Sequence, residues 1–157
     1  MTDRDAPDIL IFPPLAAGLA VFAAIALEWL APLGVLPPPG APALLVFGII
    51  LLAAAIGVAL WGIATFRAGG TNVDPRQPAL RLVEGGPFRF TRNPMYLGMV
   101  LFQLGLALAA SLDWSVMLAP LLWGVLHFGV VLREEAYLTA KFGAPYTEFL
   151  TRTRRWL

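Results

Sequence analysis

The chain has 157 residues, 59% of them apolar or aromatic and only 13% charged, with 15 Gly, 14 Pro, no Cys and a mean hydropathy of +0.75. A soluble domain carries about 25% charged residues, so this composition points to a membrane and excludes disordered, collagen-like and disulfide-stapled chains, while the lack of Cys excludes thiolate catalysis and zinc-thiolate sites. Eleven basic residues against ten acidic ones leave a formal charge of +1, and so no global field that would attract nucleic acid.

Four stretches approach the length of about 20 apolar residues that a spanning helix requires. They cover residues 9–30, 43–66, 95–112 and 114–132. Pro13 and Pro14 fall early in the first, where a missing N–H costs little, whereas Pro120 sits inside the fourth and is expected to kink it. The leading MTDRDAPD carries three Asp against one Arg, unlike the cationic start of a secretory signal, so the first segment is expected to be retained. The stretch APLGVLPPPGAPA between the first two spans has no charge and too much proline for a helix, and reads as an outer turn.

The basic residues set the orientation. Five lie in the connection 67–93 (Arg67, Arg76, Arg81, Arg89, Arg92) and five in the tail 133–157 (Arg133, Lys141, Arg152, Arg154, Arg155), with Arg4 ahead of the first span. Four spans place all of them on one side, which the positive-inside rule makes the cytoplasm. The expectation is one all-α integral membrane domain over residues 1–157, with four transmembrane helices, both termini cytoplasmic, a cytoplasmic loop and a C-terminal amphipathic helix. A bacterial inner membrane is the expected location.

The loop 67–93 is long for a compact chain and shows no helical period, which marks it as functional. Val73, Leu80, Leu82, Val83, Phe88 and Phe90 are expected to seek burial, and the pairs Gly69–Gly70 and Gly85–Gly86 allow a ligand to approach the backbone. After the fourth span a helix is expected to run to Phe142, stop at Gly143 and resume as an amphipathic piece. There Arg152, Arg154, Arg155 and Trp156 suit the lipid headgroup layer.

His127, Glu134 and Lys141 are spaced by seven and so are expected on one helix face, with Tyr137 close by. His127, the only His, reads either as a packed, hydrogen-bonded side chain or as a group that takes part in proton transfer. Glu134 and Glu135 point about 100° apart, so one of them at most shares that face. Glu134 is expected at the depth where Arg89, Arg92 and Asn93 emerge, and ionisable groups at the edge of hydrocarbon tend to be paired or functional. Glu28 and Asp113 read as residues of the outer interface. Gly57, Gly62, Gly98 and Gly105 read as sites of close helix packing.

Three blocks in order, FRAGGTNVDP at 66–75, GGPFRFTRNPMYLG at 85–98 and EEAYLTAKFGAPYTEFLTRTRRWL at 134–157, resemble the isoprenylcysteine carboxyl methyltransferase family and its phospholipid-methylating relatives. The resemblance covers roughly residues 45–157 and implies a membrane enzyme that uses S-adenosylmethionine and releases S-adenosylhomocysteine. It implies that Leu80, Arg81, Leu82 and Val83 line the cofactor pocket through their backbone, near Phe88. Asn93, Pro94, Met95 and Tyr96 would contact the cofactor's amino acid and nucleoside parts. Glu134 would bind its ammonium group beside Glu135, and Arg92 would face its carboxylate.

Three positions depart from the family pattern. Asn93 stands where many relatives have His, Phe88 where many have Tyr, and Val130 where the eukaryotic enzymes have an Arg associated with the acceptor. The implied reaction is methyl transfer to a lipophilic or amphiphilic acceptor, at a carboxyl, amine or thiol, on the cytoplasmic membrane face. For an amine, Glu134 or His127 is the candidate proton acceptor. No metal site is expected. The alternatives are a non-catalytic membrane scaffold and a reductase of the related sterol reductase bundle, although the loop lacks a dinucleotide fingerprint.

Overall fold

A computed structural model describes residues 5–157; Arg4, assigned above to the cytoplasmic side, lies outside the described residues. Six α-helices follow in order: α1 Pro13–Leu30, α2 Pro42–Ala68, α3 Pro94–Ala110, α4 Asp113–Leu126, α5 Leu132–Phe142 and α6 Ala144–Arg152. A short 3-10 turn, Gly86–Arg89, interrupts the connection between α2 and α3. No β-strand occurs among the described residues, and a single parallel bridge joins Thr91 to Arg154.

Proline writes most of the starts. It occupies the first turn of α1, α2, α3 and α6, where the absent N–H would have had no intrahelical acceptor. It also explains why α1 is shorter than the apolar stretch that contains it. Phe12, ahead of Pro13, is extended at φ −70° and ψ 119°, as a residue before proline prefers, so residues 9–12 stay outside the helix, with bends at Leu10 and Ile11. At the other ends, α3 stops at Ser111, which takes the left-handed conformation at φ 52°, and α5 stops at Gly143 with φ 59°, a position glycine fills at no steric cost.

The long helix over Asp113–Phe142 holds one departure from the expected geometry. α4, a π turn at His127–Val131 and α5 run on without a break. A π turn adds a residue to the helical register, which turns everything after it by about 100°. The spacing of seven therefore does not put His127 and Glu134 on one face. Gly129 lies in that turn, and its carbonyl accepts a hydrogen bond from Leu10 N–H at 2.9 Å, tying the chain ahead of α1 to the middle of the long helix.

Among the described residues, three helices are long and apolar enough to cross a membrane: Pro13–Leu30, Pro42–Ala68 and the continuous Asp113–Phe142. α3 is apolar but shorter, at 17 residues. α2 and α3 pack closely along small residues. A Cβ at Gly98 would lie 2.8 Å from the Ala55 carbonyl oxygen, and one at Gly105 would lie 2.9 Å from Leu52 N. Gly62 likewise faces Met95, but Gly57 meets nothing within 4 Å and so is not a packing glycine. Phe22, Phe47 and Ile50 are exposed, an outer surface suited to lipid chains rather than water.

Where α1 ends and α4 begins, Asp113 is buried and accepts from Val35 N–H at 2.9 Å and Leu36 N–H at 2.8 Å. Glu28 accepts from Trp114 N–H at 3.3 Å. Both carboxylates thus anchor chain turns at this end of the bundle. At the opposite end, Phe88, Tyr146 and Phe149 form a buried cluster backed by Leu82 and Val83. Leu80 and Phe90 escape that burial and stay exposed at 58% and 68%, because the chain here alternates between facing the bundle and facing away from it.

Candidate functional site

The connection after α2 folds back on itself through short-range polar bonds. Gly70, at φ 68°, turns the chain out of the helix, and the Thr71 hydroxyl then accepts from Leu80 N–H at 3.0 Å and Arg81 N–H at 3.4 Å. Asn72 Nδ2 donates to the Pro78 carbonyl at 2.9 Å, closing a compact turn over residues 72–78. The second half packs by aromatic stacking, with Phe88 lying 4.6 Å from Phe66 at an interplanar angle of 7°. Burial of these rings fixes the loop as a wall.

The C-terminal tail returns to brace the start of α3. Arg92 N–H donates to the Arg154 carbonyl at 2.9 Å, and Asn93 Nδ2 donates to the Arg155 carbonyl at 2.9 Å. These bonds hold Arg92 and Asn93 beside the entry to α5, where the acidic pair resides. The two glutamates have different surroundings. Glu135 accepts two parallel bonds from Arg155, at 2.9 and 2.8 Å, and lies 3.4 Å from Arg92 Nη2. Glu134 accepts from the Tyr96 hydroxyl at 2.7 Å and has no ion-pair partner among the described residues.

A cavity forms between the loop, α3, α5 and α6, with about 830 Å³ of space between its walls, the open mouth included. Of the residues named from sequence, Arg81, Leu82, Val83, Phe88, Arg92, Asn93, Pro94, Met95, Tyr96, Glu134 and Glu135 line it. Leu80 does not. His127 stands apart from it, stacked on Trp123 with ring centres 5.0 Å apart, and its Nδ1 accepts from Trp156 Nε1–H at 3.1 Å. The packed, hydrogen-bonded reading of His127 is the one its position matches.

Three of the four tail residues assigned to lipid headgroups, Arg152, Arg155 and Trp156, are engaged with protein, whereas Arg154 stays exposed. Arg155 is forked on Glu135, which raises the guanidinium's already high pKa further; Arg152 pairs with Glu84 at 2.9 Å; and Trp156 packs against His127 and the buried core. Sequence reasoning also missed the cavity's other wall, where Thr71, Asn72, Val73, Asp74 and Ala79 come from the loop and Tyr137, Tyr146 and Phe149 from α5 and α6. The TNVDP block was the available signal for the first group. Burial pushes the Tyr146 hydroxyl well above the ordinary tyrosine range, so it stays protonated.

A family model described as phospholipid methyltransferase matches residues 43–145. The chain belongs to the phospholipid methyltransferase family. This is the isoprenylcysteine carboxyl methyltransferase-like family that the three sequence blocks resemble. An uncharacterized protein of Haemophilus influenzae is 38% identical over 65 residues, which is 40% of this chain and 100% of that relative. No solved structure matches. Family membership and three apolar helices together make the chain an integral membrane protein of the methyltransferase type. The phospholipid methyltransferase match spans α2 to the start of α6, so the segment before α1 and the Arg155 strap lie outside it.

The donor set fits the cofactor that this family generally uses. S-adenosylmethionine carries an ammonium, a carboxylate and a sulfonium. The cavity offers a carboxylate at Glu134 without a cationic partner, and a guanidinium at Arg92 whose buried Nε has no acceptor among the described residues. Aromatic and thioether walls at Phe88, Tyr146 and Met95 suit the nucleoside and the sulfonium.

Proposed function

We propose that this chain transfers the methyl group of S-adenosylmethionine to a lipophilic or amphiphilic acceptor at the cytoplasmic membrane face, on a carboxyl, amine or thiol. The observation that carries the reading is the asymmetry of the acidic pair. Glu135 is neutralised by Arg155 and Arg92, while Glu134 has only the Tyr96 hydroxyl. A carboxylate left in the cavity wall without a counter-charge matches a cationic ligand group.

When bound, the cofactor supplies an electrophilic methyl on a positively charged sulfur. Glu134 then receives the ammonium group and Tyr96 fixes the orientation of its carboxylate. Arg92 faces the carboxylate, with Glu135 holding the guanidinium in place. Asn93, Pro94 and Met95 at the start of α3, and the backbone of Arg81, Leu82 and Val83, position the remainder. In-line displacement needs little beyond alignment and exclusion of water, and the residues around Phe88, Tyr146 and Phe149 supply a dry wall. A carboxylate or thiolate acceptor needs no base; an amine would give up its proton to Glu134. Val130, fully buried in the bundle, offers no charge to an acceptor's carboxylate.

In this reading α3 is the fourth crossing. Its 17 residues reach about 26 Å at 1.5 Å per residue, near the hydrocarbon thickness of about 30 Å. The loop and tail then share the cytoplasmic face of a bacterial inner membrane in a single domain. The scaffold alternative assigns no role to a half-buried carboxylate without a counter-charge, and the reductase alternative has no dinucleotide fingerprint behind it.

The reading is tested by incubating membranes that contain the protein with methyl-labelled S-adenosylmethionine and following label into the organic extract. Label is expected with the wild-type chain and background with Glu134→Gln. Equal label from both would remove Glu134 from the site.

A further inference from the structure

The segment ahead of α1 lies outside the family match, yet Pro7 lines the cavity. How that segment is held differs along its length. Ile9 and Ile11 pack against the buried core around Leu126 and Val130, and Leu10 N–H donates to Gly129 in the π turn. Residues 5–8 have no comparable apolar anchor. Their hold is polar and mostly in solvent: Asp5 carboxylate to Lys141 Nζ at 2.6 Å, with Asp5 61% exposed, and the Asp8 carbonyl to Arg133 at 2.9 Å.

Tyr137 is where this segment meets the cavity loop. Its hydroxyl donates to Asp5 Oδ1 at 2.9 Å and accepts from Lys141 Nζ at 2.9 Å and from Ala79 N–H at 3.2 Å. One donor and two acceptor positions are all that a phenol has, so the hydroxyl is fully used. The Ala79 stretch and Pro7 both form cavity wall. A single side chain therefore ties a wall segment near the start of the sequence to one near its middle, and ties the first through an exposed ion pair.

We propose that residues 5–8 are a latched lid on the cavity, hinged at Leu10 on the π turn and caught by Asp5 on Tyr137 and Lys141. Exposed ion pairs hold little free energy, so the catch opens readily while the hinge stays seated on packed core. Opening swings Pro7 from the wall while Ala79 keeps its bond to Tyr137 on α5, which gives a polar ligand a path from the cytosolic side. This extends the reading above, in which the cavity takes S-adenosylmethionine, but the latch itself is a property of the chain and is measurable without any ligand.

The sequence contains no Cys, so Val73→Cys in the cavity wall provides one reporter thiol in the full-length protein. Its reaction with a charged, membrane-impermeant maleimide is compared in three chains: the reporter alone, with Asp5→Ala added, and with Lys141→Gln added. Both latch variants are expected to speed labelling by about fivefold, the factor equivalent to about 1 kcal/mol, with the thermal midpoint unchanged. Labelling at the reporter's own rate in both, in folded protein, overturns the lid. Binding kinetics of S-adenosylhomocysteine separate this from the cofactor reading. Faster association and faster release together in the latch variants support the lid. If labelling responds to the latch while S-adenosylhomocysteine fails to bind even the unmodified chain, the lid stands and the cofactor reading falls.

Discussion

Arg155, two residues before Leu157, grips Glu135 through two parallel hydrogen bonds of 2.9 and 2.8 Å. The fork spans 20 residues of sequence and has a chemical consequence. With Glu135 neutralised, Glu134 is the acidic group of the pair that is left for a ligand.

Replacing Arg155 by Met keeps the stem and removes the fork. The tail's backbone bonds to Arg92 and Asn93 lose their side-chain anchor, and thermal unfolding in detergent should show a loss of about 1 to 2 kcal/mol, the upper end moderated by partial exposure. Cofactor affinity should fall as well, because Glu135 then competes for Arg92. An unchanged thermal midpoint would make the fork an idle surface pair.

His127→Ala leaves the Trp156 indole N–H without its acceptor. The expected cost is about 1 to 2 kcal/mol of stability, with affinity for S-adenosylhomocysteine and methyl-transfer turnover unchanged. A selective loss of turnover, with binding and stability kept, would return His127 to the chemistry.

Gly98 and Gly57 look alike in sequence and differ in space. A Cβ at Gly98 would press on the Ala55 carbonyl and on Ala59 Cβ at 2.8 and 3.0 Å, whereas one at Gly57 meets nothing. Gly98→Ala should therefore destabilise by about 1 to 3 kcal/mol through overpacking of α2 on α3, and Gly57→Ala by less than about 0.5 kcal/mol. Parallel thermal melts of the two variants check the contrast.

Hydrogen bonds from Lys141 and Tyr137 hold the Asp5 carboxyl below its ordinary value. A depressed folded-state pKa means that the contact contributes fully above the unfolded value and weakens only as pH falls through the lower one. The latch's own contribution, read as the ratio of S-adenosylhomocysteine release rates in Asp5→Ala and wild type, should thus be level between about pH 5 and pH 8, well above the aspartate range near about 3.9. A ratio that collapses toward one by about pH 6.5 would mean that a group other than the Asp5 carboxyl holds the catch.

Much of this architecture is legible in the residues. Runs of apolar side chains mark α2 and α3 to within two residues, and first-turn prolines mark where helices begin. The RNPMY and EE blocks name one wall of the cavity because the resemblance carries their roles. The π turn is not legible: nothing in HFGVV distinguishes five residues closing a wide turn from five in an ordinary helix, so a spacing of seven suggests a shared face that does not exist. The role of Arg155 is hidden for another reason. An Arg beside a Trp after an amphipathic helix looks the same whether it meets a lipid phosphate or a glutamate 20 residues away. Asp5 and Pro7 carry no periodic signal, and only the folded chain brings them to Tyr137.

The central claim is that Glu134 receives the cofactor's ammonium group, and calorimetric titration of the detergent-solubilised chain with S-adenosylmethionine and S-adenosylhomocysteine tests it most directly. The account predicts binding near the micromolar level, about −8 kcal/mol, that weakens at least tenfold, or about 1.4 kcal/mol, in Glu134→Gln without loss of fold. Folded wild-type protein that binds neither compound, or a Glu134→Gln variant that binds both as tightly as wild type, would contradict it.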